Sequence, residues 1–210
     1  MNKNDEIVFA LPVDELFAGA TKFNGVSFYS DPIILENIYT KSKPMKRGDC
    51  ENDPTIKHIV PYVVLTSANN NIFVTQRTNN QTEARLANKY SVGIGGHVGP
   101  VQNYSVAESI MYGMLREIDE EMTGMDLVNF TTKVFKPSFM GYVNDDLTDV
   151  GKVHFGLVYN IFVDSILAKG VRVKETENMV GQWMNYNDAL KIVGYENWSC
   201  HILNIDPKIN

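Results

Sequence analysis

Four residues near the middle of this 210-residue chain have types and spacing that can do chemistry: Arg116, Glu117, Glu120 and Glu121. They close a stretch with helical periodicity. On a helix, side chains three and four apart are neighbours, so Glu117 and Glu121 project together with Glu120 alongside. Three carboxylates held this close repel one another unless a positive charge stands between them. Arg116 reaches Glu120 at i+4, but one guanidinium cannot neutralise all three. Hard oxygen ligands converging from one helix face suit Mg²⁺ or Mn²⁺. A solvated acidic face is the other reading of the same residues. Upstream lies a glycine cluster, Gly93, Gly95, Gly96 and Gly99. It is not a dinucleotide fingerprint, because Val98 stands where GxGxxG needs its last glycine, and no Gly-Lys-Ser/Thr follows to make a phosphate loop. Taken alone, it reads as a tight turn or bulge with close backbone approach.

The element that must carry the acidic face is a helix over 105–122. Ser105 and Glu108 form a capping-box pattern, in which the glutamate bonds back to the backbone of the capping serine. Val106, Ile110, Met114, Ile118 and Met122 then fall on one stripe at helical spacing. Before the glycines, 59–65 and 72–77 are rich in strand-forming residues and flank the turn Asn69, Asn70, Asn71, which predicts a hairpin. Pro61 suggests that the first strand is an edge or begins there. Further strands are expected within 128–143 and 152–164, a helix start capped by Asn185 or Asn187, and a closing helix over 198–205. Strands, helix, strands and helices in this order predict a mixed α/β (α+β) domain over 56–210 rather than a regular parallel array. Residues 1–55, where short apolar clusters alternate with polar stretches, read as an N-terminal extension packed on the main domain or on a second subunit. Within it, 41–49 looks like a loop.

Composition narrows the function classes. Hydrophobic residues make up 44% and charged residues 21%, which argues against wholesale disorder. A net charge of −6 argues against a sequence-blind nucleic-acid binder. A small phosphorylated substrate stays open, because an acidic protein binds phosphate through a divalent cation. Cys50 and Cys200 cannot make a disulfide framework, and no CxxC pair offers zinc spacing. His58, His97, His154 and His201 are scattered and form no HxxxH or HExxH. The polar start lacks a signal-peptide core, and no apolar run approaches the ~18–20 residues a bilayer requires. No membrane partner and a reducing, cytoplasmic setting are therefore expected.

The glycine pair Gly95, Gly96 and the following helix, ending Arg116-Glu117-Ile118-Asp119-Glu120-Glu121, resemble the box of the Nudix hydrolases. That pattern runs Gly, five residues, Glu, seven residues, then Arg-Glu-apolar-x-Glu-Glu-x-Gly-apolar. Seven residues separate Glu108 from Arg116, as in the family. The resemblance covers roughly 56–205. Two departures stand out. Eleven residues, not five, separate Gly96 from Glu108, and Gln102 holds the expected glutamate position. The closing glycine is displaced by one, with Thr123 before Gly124.

The resemblance implies an α/β/α sandwich with a mixed sheet and hydrolysis of a nucleoside diphosphate linked to another moiety. Glu117 and Glu121 would then hold Mg²⁺ or Mn²⁺, with Glu120 a further ligand and Arg116 orienting the glutamates. Glu108 is a box glutamate or a helix cap, on even terms. The general base is sought among Glu120, Glu175 and Glu177, although a plain solvated loop explains the last two more simply. Arg77 and Arg85 are candidates to fork onto substrate phosphate, and Gly95 and Gly96 to let the substrate approach. His97 is read as structural. ADP-ribose, dinucleotides, nucleoside triphosphates and a capped RNA 5′ end all remain open as substrates. A homodimer is compatible with the apolar extension. A non-catalytic nucleotide-binding module and a purely structural protein are the rival classes.

Overall fold

The structure is a computed structural model and describes residues 3–28, 31–78, 87–125, 136–174 and 176–207. The chain begins with β1 (Ile7–Pro12), α1 (Val13–Leu16), β2 (Gly25–Ser27), α2 (Pro32–Lys41), β3 (Lys43–Lys46) and α3 (Arg47–Cys50). There follow β4 (Ile56–Ser67), β5 (Asn71–Arg77), β6 (Tyr90–Ser91), β7 (Gly93–Gly95) and the long helix α4 (Val106–Glu121). The last part comprises β8 (Met122–Thr123), β9 (Pro137–Asn144), β10 (His154–Val163), α5 (Ser165–Ala168), β11 (Arg172–Val173), β12 (Met179–Asn185), α6 (Tyr186–Ala189) and α7 (Asn197–Leu203). This is the expected mixed α/β class. No helix among the described residues is long and apolar enough to cross a membrane.

The chain divides into two compact units. The first takes 1–62, 95–114 and 140–158. Its strand β1 pairs antiparallel with both β3 and β4, and β2 pairs with β9. Residues 1–55 thus share hydrogen bonds with the start of β4. Val8, Ala10 and Cys50 pack as a buried cluster with Met45 and Ile56 against it. Phe17 meets Phe23 and Phe155 edge-on at 6.0 and 5.8 Å. The 41–49 stretch is not a loop: it holds the end of α2, strand β3 and most of α3. Pro44 is tolerated because β3 pairs with β1 alone among the described strands, so a missing N–H on its outer edge costs no ladder bond.

The second unit takes 63–94, 115–139 and 159–210. Its hairpin β4–β5 is in the expected register, Thr66 opposite Ile72. Asn69 and Asn70 both adopt positive φ in the turn, which asparagine tolerates better than other side chains. Strand β12 lies antiparallel on β5 over its whole length, and the Trp183 ring packs on Phe73 at 5.2 Å. The indole N–H donates to the Ala168 carbonyl at 2.9 Å. Asn185 caps α6, its side chain accepting from the Asn187 N–H. Ile118 and Met122 of the helical stripe are buried here. Pro61 corrects its sequence reading as a strand start, because β4 begins five residues earlier, at Ile56. It stands between the β4 residues registered with β1 and those registered with β5.

Candidate functional site

The acidic face belongs to the second unit. The Arg116 guanidinium forks between two carboxylates, with Nη2 2.5 Å from Glu117 Oε1 and Nη1 3.3 Å from Glu120 Oε1. Glu117 is largely covered, its side chain 15% exposed, whereas Glu120 stands out at 56%. Glu121 is half-buried. The end of α4 is tied down by Lys174. Its backbone N–H donates to the Glu121 carbonyl at 2.8 Å. Its ammonium donates to the Asp119 carbonyl and pairs with the Asp119 carboxylate at 3.6 Å. A cation here also suits the negative end of the helix dipole. Glu117, Glu120 and Glu121 are not drawn to chelating distance as a group. Mutual repulsion keeps such carboxylates apart, and Arg116 engages two of them. The donor set, oxygen only and two positive charges short of neutrality, fits a hard divalent ion.

The other residues singled out from sequence stand as follows. Glu108 closes the capping box at the start of α4. Its Oε2 accepts from the Ser105 N–H at 2.8 Å and from the Ser105 hydroxyl at 2.7 Å, while Ser105 Oγ accepts from the Glu108 N–H. The bonds to Ser105 lower its pKa. At Gly95 a Cβ would fall 2.4 Å from the Pro61 carbonyl oxygen, so the close backbone approach is made with β4. Gly96 is half-buried. Arg77 ends β5 opposite Met179, half-buried. Glu177 is exposed, its carbonyl accepting from the Thr78 hydroxyl. Arg85 and Glu175 lie outside the described residues. Glu196 caps α7. Glu196 accepts from the Trp198 and Ser199 N–H groups and from the Ser199 hydroxyl, and that hydroxyl accepts in turn from the Val92 N–H.

Sequence reasoning missed a second cluster, in the first unit. Glu51, His58, His97 and His154 each offer a ligand atom, and these atoms all lie within 4.8 Å of one another. Among the described residues, no other group of three or more His, Cys, Asp or Glu ligand atoms is gathered this way. His97 Nε2 is 3.0 Å from both His58 Nδ1 and His154 Nε2. Burial pushes His58 down to about 4, with His154 adding to the shift and Glu51 opposing it. Burial likewise holds His97 well below the usual imidazole range, although part of its surface reaches solvent. For Glu51, burial raises the pKa, but the Arg47 hydrogen bond and charge outweigh it, and the net shift is downward. No spacing rule reveals this set, because its members are 7, 39 and 57 residues apart along the chain.

Comparison with known proteins places this architecture. The crystal structure of Tm1382, a candidate Nudix hydrolase, superposes with a TM-score of 0.76 at 23% identity, covering 95% of this chain and 97% of that one. A MutT protein from Methanosarcina mazei Go1 aligns over 72% of this chain and 94% of its own, at 18% identity and a TM-score of 0.46. No family model matches the sequence. The chain shares the fold of Tm1382. Protein YmaB of Bacillus subtilis (strain 168) is 32% identical over 212 residues, spanning 98% of this chain and 99% of that protein. The chain belongs to the family of YmaB.

Proposed function

We propose that this protein is a metal-dependent hydrolase that cleaves the pyrophosphate bond of a nucleoside diphosphate linked to another moiety. The observation that carries this reading is the Arg116-Glu117-x-x-Glu120-Glu121 face at the end of α4, with Arg116 bonded to Glu117 and Glu120. Glu117 and Glu121, with Glu120 as a further ligand, would hold Mg²⁺ or Mn²⁺. A bound ion there supplies charge neutralisation, a polarised phosphoryl oxygen and a more acidic water. Arg116 holds two of the three carboxylates in a fixed orientation, so less reordering is needed when substrate arrives. Glu120, the most exposed of the engaged carboxylates, is the candidate to take the proton from attacking water, with Glu175 and Glu177 as loop alternatives. Water adds to one phosphorus, the bridging P–O bond breaks, and two phosphate products leave. Arg77 and Arg85 are the candidate forks for substrate phosphate.

The test is hydrolysis of a nucleotide panel with Mg²⁺ or Mn²⁺, wild type beside Glu121→Gln. Metal-dependent turnover that disappears in the folded variant supports the enzyme and names the substrate class. No turnover on any compound by folded wild type favours a nucleotide-binding module. The engagement of Glu108 in the helix cap is the observation on that side, since the family pattern places a glutamate there among its box residues.

A further inference from the structure

We propose that Glu51, His58, His97 and His154 form a binding site for a divalent transition-metal ion, best matched by Zn²⁺. The four residues come from four segments of the first unit: the residue after α3, strand β4, the irregular segment after β7 and the first residue of β10. Nothing in the local sequence brings them together, so the fold itself assembles the set.

The ring nitrogens point to a shared cation. His154 Nδ1 lies 2.6 Å from the Val150 carbonyl, which can only accept, so Nδ1 carries a proton and Nε2 is the ring atom turned to the cluster. His97 Nε2 faces that atom at 3.0 Å and His58 Nδ1 at 3.0 Å. A ring nitrogen carries one N–H or one in-plane lone pair, so His97 Nε2 cannot make a good hydrogen bond to both neighbours. A single ion accepting three lone pairs satisfies the whole set. His58 is fully buried and turns its Nδ1 toward the cluster.

The outer contacts have the form that metal-binding histidines and carboxylates take. The Val150 carbonyl fixes the tautomer of His154. Arg47 Nε donates to Glu51 Oε2 at 3.0 Å, and Arg47 pairs in turn with Glu6 at 3.3 Å. Three imidazoles and one carboxylate select Zn²⁺, Fe²⁺ or Co²⁺ over Mg²⁺, which prefers oxygen alone. Nitrogen separations of 3.0 Å lie a few tenths of an ångström inside the edge of about 3.4 Å that tetrahedral bonds of about 2.1 Å give. His97 keeps some exposure and gives the ion a path of entry.

The site uses none of the residues assigned to the hydrolytic face, so its test is independent of turnover. The full chain, stripped with chelator, is titrated with Co²⁺ and then Zn²⁺, reading visible d–d bands, metal content and Tm. One equivalent per chain, with tetrahedral Co²⁺ bands that Zn²⁺ abolishes, is expected. His97→Gln, at the partly exposed position, is expected to weaken Co²⁺ affinity by about 100-fold or more. Glu121→Gln is expected to leave the bands unchanged. If His97→Gln does not fold, Glu51→Gln takes its place. Absence of the bands from folded wild type overturns the proposal, and so does binding that survives both substitutions or is lost in Glu121→Gln alone.

Discussion

Asp146→Asn tests whether a buried ammonium is held in place by a single carboxylate. Lys57 is buried with its side chain 1% exposed, and Nζ lies 2.9 Å from Asp146 Oδ1 and 2.7 Å from the Gly151 carbonyl. Burial lowers the Lys57 pKa, opposed by Asp146. Removing one partner of a fully buried pair costs about 3–5 kcal/mol, because the remaining charge is left uncompensated. Two features reduce that figure. The Asp146 side chain is 31% exposed, so water reaches it, and the Gly151 carbonyl still accepts one ammonium proton. A loss of about 2–3 kcal/mol is expected, a fall in Tm of about 4–12 °C for a chain of this size. The second pair of Asp146, with Lys22 at 3.0 Å, is exposed on the lysine side and contributes at most about 1 kcal/mol. Urea and thermal denaturation followed by circular dichroism measure the loss. Adding Lys57→Met removes the stranded charge and should recover part of it. A loss under about 0.5 kcal/mol, or no recovery in the double variant, refutes the reasoning. The pair also matters to the histidine cluster. Lys57 precedes His58, and Gly151 follows the Val150 carbonyl that orients His154, so Asp146→Asn should weaken Co²⁺ binding as well.

Three further outcomes are expected. Arg116→Ala should reduce turnover by about 10–100-fold by releasing Glu117 and Glu120, with little change in Tm, since exposed ion pairs contribute about 0–1 kcal/mol. Glu108→Ala should lower Tm and keep turnover, and Ser105→Ala should add little to it, because the two share one cap; loss of turnover in folded Glu108→Ala would instead mark Glu108 as part of the reacting site. The Lys57–Asp146 pair should weaken in acid. Burial raises the Asp146 pKa, but hydrogen bonds from Lys57 and Lys22 outweigh it, and the folded value lies below the unfolded one. Its stabilisation is therefore full above the unfolded value of about 3.9 and is lost as pH falls through the folded one. Urea midpoints of wild type and the Lys57→Met/Asp146→Asn double variant should converge toward low pH; a constant gap would contradict the assignment.

The elements that could be read from sequence are those whose signal is local. Ser105 and Glu108 sit three residues apart and announce the start of α4, and the stripe through Ile118 and Met122 gives its buried face. The Asn69, Asn70 turn specifies the β4–β5 hairpin. The 41–49 stretch misled because lysines, Pro44 and Gly48 all favour a loop, whereas the pairing that makes β3 a strand is supplied by β1, more than thirty residues earlier. Pro61 misled for a related reason: whether a strand tolerates proline depends on which neighbours it has at that residue. The histidine cluster is the extreme case, since its three histidines lie far apart in sequence and only the folded chain makes them and Glu51 a set.

The end of α4 carries a consequence for how this sequence can drift. The helix passes directly into β8, which pairs with β11, so the chain can turn only after Thr123. The glycine accordingly stands one residue later than in the Nudix pattern that the sequence resembles. Gly124 has φ +82°, and a Cβ there would lie 2.3 Å from the Gly170 carbonyl oxygen. The nearest atom to a Cβ on Gly170 is 3.4 Å away, an ordinary contact. The two glycines face each other but are not equal in what they permit. Gly170 is open to alanine in a single step. At Gly124 any L-residue meets both a strained φ and the Gly170 backbone, so a substitution there must shift the β8–β11 ribbon.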